Sequence, residues 1–168
     1  MTAMIQPMLG EIQQEAATTR RVLERVPGDK LSWKPHPKSM SLGQLGLHIA
    51  NIPGGLSKLA QVDEFDASTA TFEQAEAGSV AELLTALDTS VKAAEEYLGG
   101  LSETAALGDW RLTVRGNEIM KIPRVAMLRS IMLNHWYHHR GQLSVYLRLL
   151  DVPVPVIYGR SADENPFA

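Results

Sequence analysis

Apolar residues return every three or four positions along four stretches of the chain. Between Ile5 and Val26 the spacing is kept by Ile5, Leu9, Ile12, Ala16, Thr19 and Leu23, while Glu11, Glu15, Arg21 and Glu24 occupy much of the remainder. This predicts an amphipathic helix with its charges on the other face, stopped by Pro27-Gly28. In LSWKPHPKSM, Pro35 and Pro37 flank His36 and forbid a regular helix, so an extended connector is expected. A second helix starts at Ser41, whose hydroxyl can cap the unpaired amides of the first turn, with Gln44 placed three residues later as in a capping box. Leu42, Leu45, Ile49, Ile52 and Leu56 form its buried face, and Pro53-Gly54-Gly55 is expected to kink or interrupt it.

Residues 61–78 carry Asp63, Glu64, Asp66, Glu73 and Glu76 without a single Lys or Arg, and read as a solvated acidic loop with a short turn of helix. Ser79 and Glu82 repeat the capping signal ahead of Val80, Leu83, Leu84, Leu87, Val91, Ala94 and Leu98, and Gly99-Gly100 ends this third helix. Trp110, Leu112 and Val114 then alternate up to Arg115-Gly116-Asn117. Glu118 to Ile122 can return as the second strand of a short hairpin. The last helix opens near Pro123, a residue suited to a first helical position, and runs to about Leu150. Its stripe is Leu128, Ile131, Met132, His135, His139, Gln142, Leu143, Tyr146 and Leu149, and Asp151-Val152-Pro153 stops it. Such a helix is roughly 40 Å long, enough to span a small domain. The fold expected is all-α, a four-helix bundle with a short β-hairpin before the last helix, as one domain over residues 1–168.

Composition removes several classes of function. The chain has 168 residues and no cysteine, so any metal must be held by nitrogen and oxygen, and no protein thiol can act as nucleophile. A formal charge of −3 argues against a nucleic-acid partner. No apolar run approaches the ~18 residues of a membrane span, and MTAMIQPMLGEIQQE lacks an export signal, so no membrane partner and a cytoplasmic location are expected.

The five histidines carry the chemistry. His135 and His139 stand four apart, which stacks their imidazoles on one helix face at the spacing two ligands of one metal require. His48 lies three residues after Leu45 and four before Ile52, on the core side of the second helix. A single inward histidine is ordinarily a satisfied core residue. Three poorly paired polar groups would each cost on the order of 1–3 kcal/mol, which a shared cation or several ordered waters would offset. Spacing leaves both readings open. His138 points roughly 60° away from the line joining His135 and His139, taking ~100° per residue, and reads as a rim residue; His36 reads as solvent-exposed.

The segments SMSLGQLGLHIANI and NHWYHHRGQLSVYLRLLDVPVPVIYGRSADENP, with WKPHPKSMS before them, resemble the DinB family of DinB/YfiT-like metalloenzymes. The resemblance spans most of the chain and is strongest in its last third. It implies a four-helix bundle, a homodimer, and a divalent metal on three histidines that match His48, His135 and His139. It also points to thiol-dependent transferases and isomerases that use bacillithiol or mycothiol, although no thiol-binding signature is present in these residues.

Three imidazoles would leave a tetrahedral Zn²⁺ one open position, with Ni²⁺ as the alternative ion. Such a metal can lower the pKa of a water toward ~7 or hold a small thiol as thiolate. The expectation is a transferase acting on a small-molecule substrate with a low-molecular-weight thiol, or a hydrolase. The alternative is a non-catalytic dimeric metal- or ligand-binding bundle. HWYHH has no glutamate beside its first histidine, so the base of the zinc-protease motif is missing. His138, Glu11, Glu15 and Tyr158 are the candidates for a separate base, and Gln142 for a residue that orients a ligand. Arg140, with Arg111, Arg115, Lys121, Arg124, Arg129 and Arg148, reads mainly as a solvated face that could attract an anion. Trp33, Trp110 and Trp136 read by default as core.

Overall fold

The first helix, α1, covers Gln6–Leu23 in a computed structural model that describes residues 3–71 and 75–167. Its apolar stripe is buried as the spacing predicts, with Ile5 and Ile12 fully enclosed. Glu15 departs from the expected wet face: it is 6% exposed, facing a cation from the last helix.

Helix α2 covers Leu42–Leu59, and both halves of its capping box are formed. The Ser41 hydroxyl accepts from the Gln44 amide at 3.1 Å, and the Gln44 side chain accepts from the Ser41 amide at 2.9 Å. The expected interruption at Pro53-Gly54-Gly55 does not occur, and the helix runs on through Pro53. Helix α3 (Val80–Gly100) lies along α2. The two backbones approach so closely at Gly54 that a Cβ there would sit 2.9 Å from the Ser90 Cα and carbonyl oxygen. The Ser90 hydroxyl accepts from the Gly54 amide at 2.7 Å across this contact. Leu45, Ile49, Leu83, Leu87 and Leu98 of the two helices are buried in the core.

The acidic segment is not wholly a loop. Strand β1 (Glu64–Asp66) pairs in parallel with β2 (Asp109–Val114), and β2 pairs antiparallel with β3 (Asn117–Pro123). A single helical turn, Ala67–Thr69, follows β1 as expected, while Glu73 lies outside the described residues. The hairpin turn puts Arg115 at φ 51° and Gly116 at φ 78°, the doubly left-handed geometry that matches strand twist. A five-residue helix, α4 (Glu103–Leu107), precedes β2 and was not anticipated. The expected all-α bundle is therefore a mostly helical molecule with a small three-stranded sheet.

The last helical run begins with α5 (Arg124–Met127), passes through a π-helical turn at Leu128–Leu133 and continues as α6 (Asn134–Leu149). A π turn inserts one residue into the helical repeat and rotates everything after it. The buried stripe consequently runs Leu128, Met132, Trp136, Arg140, Leu143 and Leu147, one residue later than the unbroken period places it. Leu149 and Gln142, assigned to the stripe from spacing, are exposed. His135 and His139 move from its centre to its edge, where both are half-buried. Among the described residues no helix is long and apolar enough to cross a membrane.

Candidate metal centre

Two elements supply the three imidazoles. His48 comes from the middle of α2, while His135 and His139, one turn apart, come from the start of α6 just after the π turn. One ring nitrogen from each lies within 4.8 Å of the other two. Nε2 of His48 is 3.1 Å from Nε2 of His135. The rings meet edge to face, with centroids 4.4–5.2 Å apart, so their nitrogens converge instead of their faces stacking. Such a cluster could hold a divalent metal.

Gln142, one turn beyond His139, accepts from His139 Nδ1 at 2.7 Å, which keeps the proton on that nitrogen and leaves Nε2 for the cluster. Burial holds His135 below the ordinary imidazole range, and His139 and His138 lower it further. His139 is also lowered, chiefly by burial; its bond to Gln142 works against the shift and His138 adds to it. Both rings are therefore biased to the neutral form that ligates metals. Half-exposure also lightens the desolvation cost estimated for fully buried histidines, since water reaches one side of the cluster.

The other expected residues lie elsewhere. His36 is exposed on the connector, its Nδ1 accepting from the Lys38 amide at 3.2 Å. His138 is exposed with its ring edge against His139, as a rim residue should be. Glu11, Glu15 and Tyr158 form a separate network between α1 and α6. Tyr137 donates to Glu11 at 2.8 Å, and Arg140 contacts Glu15 at 2.6 Å, Tyr158 Oη at 2.5 Å and Thr19 Oγ1 at 3.2 Å. No carboxylate joins the histidines within the metal-sized grouping found among the described residues.

Two arginines leave the solvated face assigned to them. Arg140 is 1% exposed, with the rings of Tyr137 and Tyr158 about 5 Å from its guanidinium. Arg124 is buried and donates to the carbonyls of Ala60 and Ala105 and to Asp63, tying the end of α2 to α4 and the sheet. Arg111, Lys121, Arg129 and Arg148 do lie in exposed or half-exposed ion pairs, and Arg115 is exposed at the hairpin turn. Trp110 and Trp136 are enclosed in the core, and Trp33 is half-buried edge-on to Tyr146.

A cleft of about 220 Å³ opens beside the cluster, lined by His48, Asn51, Ile52, Gly55, Leu56 and His135. Its signal was the spacing of positions 48, 51, 52, 55 and 56, one continuous face of α2.

A mostly helical molecule in which two long helices converge three imidazoles beside an open cleft is an architecture that could hold a divalent metal. The chain belongs to the DinB family, whose model matches residues 1–165. It is similar to the crystal structure of a DinB-like protein from Bacillus cereus, at 20% identity and a TM-score of 0.68 over 89% of this chain and 95% of that one. It is also similar to the DinB-like protein YjoA from Bacillus subtilis, at 21% identity and a TM-score of 0.68 over 92% and 99% of the two chains. A third structure, from Exiguobacterium sibiricum, aligns at 18% identity and a TM-score of 0.65 over 93% and 97%. At these identities the likeness concerns the fold. No curated protein matches the chain.

Proposed function

We propose that the chain is a divalent-metal-dependent enzyme acting on a small molecule, with His48, His135 and His139 as the ligands. The observation that carries this reading is the convergence of three ring nitrogens within 4.8 Å at the mouth of a cleft, with no further histidine or carboxylate joining the group among the described residues. Zinc suits a three-imidazole set and is the first candidate, with nickel second. Bound there, such an ion would supply a Lewis-acidic centre with an open position for a substrate atom.

The chain's own residues do the rest. The α2 and α6 backbones fix the spacing of the histidines, and Gln142 sets the tautomer of His139. Arg140 and Glu15, locked between α1 and α6, hold α6 in the rotation that aims His135 and His139 at His48. With no cysteine in the chain, sulfur chemistry requires a thiol from outside, so the reaction class favoured is transfer involving a low-molecular-weight thiol, with hydrolysis second. In this reading the four long helical runs form a four-helix bundle that works as a cytoplasmic homodimer.

Metal analysis of tag-free protein from metal-replete cells tests the site. About one transition metal per chain is expected, falling to near zero in His48→Ala, and wild type without stoichiometric metal would end the proposal. Turnover is tested with small thiols plus electrophiles and with esters and amides. If none gives a metal-dependent rate, the molecule is a binding protein instead.

A further inference from the structure

We infer that the substrate of this site carries a small apolar group next to its reacting atom, and that Gly55 sets how large that group can be. The inference rests on the metal-site reading above and specifies its substrate. Leaving the histidines along α2, the cleft wall is made by Ile52, Gly55 and Leu56, and its surface is mostly apolar. Asn51 is the polar side chain on that wall other than the histidines. It is exposed and has no hydrogen-bond partner among the described residues, so its amide is available to a ligand.

Size narrows the ligand. An apolar cavity of about 150 Å³ accommodates benzene, whereas drug-sized ligands occupy roughly 300–1,000 Å³. At about 220 Å³ the cleft takes a group between a short alkyl chain and a substituted phenyl ring. A sugar-bearing thiol cosubstrate is too large to be enclosed, which leaves the cleft to the apolar end of the other reactant.

Gly55 is a different kind of glycine from its neighbour. Gly54 is required by the approach of α3, but nothing lies within 4 Å of the position a Gly55 Cβ would take. Packing therefore does not demand a glycine at 55, and a side chain added there enters the cleft. With Ile52 one turn before it, Gly55 leaves the space in which an apolar group lies along α2 and reaches His48 and His135.

The test uses cobalt(II)-loaded protein and a series of hydroxamic acids with one metal-binding head and growing tails: aceto-, butyro-, hexano- and benzohydroxamic acid. Affinity is read from the cobalt absorption bands. In wild type, affinity should rise about two- to fourfold per methylene as apolar surface is buried, then level off near the size of a phenyl ring. In Gly55→Leu the dependence on tail length should flatten. Equal affinity for every tail in wild type, or an unchanged series in the variant, would overturn the proposal.

Benzyl alcohol titrated into the metal-free protein gives a readout independent of the metal. The backbone amides of Asn51, Gly55 and Leu56 should shift, and their silence would overturn the cleft assignment. If cobalt fails to bind while these amides do shift, the metal reading fails and the apolar cleft stands. A dimer that Gly55→Leu converts to monomer in sedimentation would assign the cleft to a second copy of the chain and overturn the substrate proposal.

Discussion

Arg140 and Glu15 face each other at 2.6 Å with their side chains only 1% and 8% exposed, and each is costly to leave alone there. Removing one partner of a buried pair strands the other, typically at about 3–5 kcal/mol, while replacing both with apolar residues is often close to neutral. Arg140→Met should therefore lower unfolding stability by about that amount in urea titrations. Arg140→Met combined with Glu15→Leu should recover most of it. If the single variant loses less than about 1 kcal/mol, the pair does not anchor α6 as described. A second test concerns Gln142, whose side chain accepts from the His139 ring. Gln142→Leu should weaken metal binding about 10- to 100-fold in chelator competition, as loss of a ligand's orienting partner commonly does. The place of Gln142, three residues from His139, was legible from the sequence; the pairing of Glu15 with Arg140 was not, because they are 125 residues apart and nothing local marks either as buried.

The two glycines of α2 separate packing from propensity. Gly54→Ala must push its Cβ against the Ser90 backbone, which cannot rotate away, so a loss of about 1–3 kcal/mol is expected in thermal or chemical unfolding. Gly55→Ala meets nothing and should be neutral or gain up to about 1 kcal/mol, since alanine loses less freedom on entering a helix. The opposite ranking would contradict the close approach of α2 and α3. Helix starts were plain in the sequence, because capping at Ser41 and Ser79 depends on neighbours within four residues. The hairpin was plain for the same reason. Strand β1 was not: three residues in an acidic stretch become a strand only because β2 lies alongside to pair with their backbone. The π turn was equally hidden, and it decides which side of the last helix is wet.

Stability should fall at both ends of the pH range. His135 and His139 titrate below the usual imidazole value of 6.5, so on acidification the unfolded chain takes up protons first. Their contribution is present above pH 6.5 and is lost as pH falls toward their folded-state values. Tyr97, Tyr137 and Tyr158 are raised above 10.0, mainly by burial, so they favour the fold below pH 10 and cease to do so as pH rises beyond it. Melting temperatures of metal-free protein should thus peak between these limits, and a flat profile from pH 7 to 5 would contradict the histidine shifts. Added zinc should raise the melting temperature at pH 7 and do so less at pH 5, where protons compete for the same nitrogens.

Local and periodic information was enough to specify four helical runs, two capped starts and a hairpin, and short motifs carried the resemblance to a family whose three histidines match His48, His135 and His139. Those properties depend on neighbours a few residues away or on a short motif. The rotation of α6, the burial of Arg140, Arg124 and Glu15, the third strand and the apolar cleft along α2 arose only when distant segments packed. Each depends on a partner that sequence proximity does not name, and on one extra residue in a helical turn that no periodicity announces.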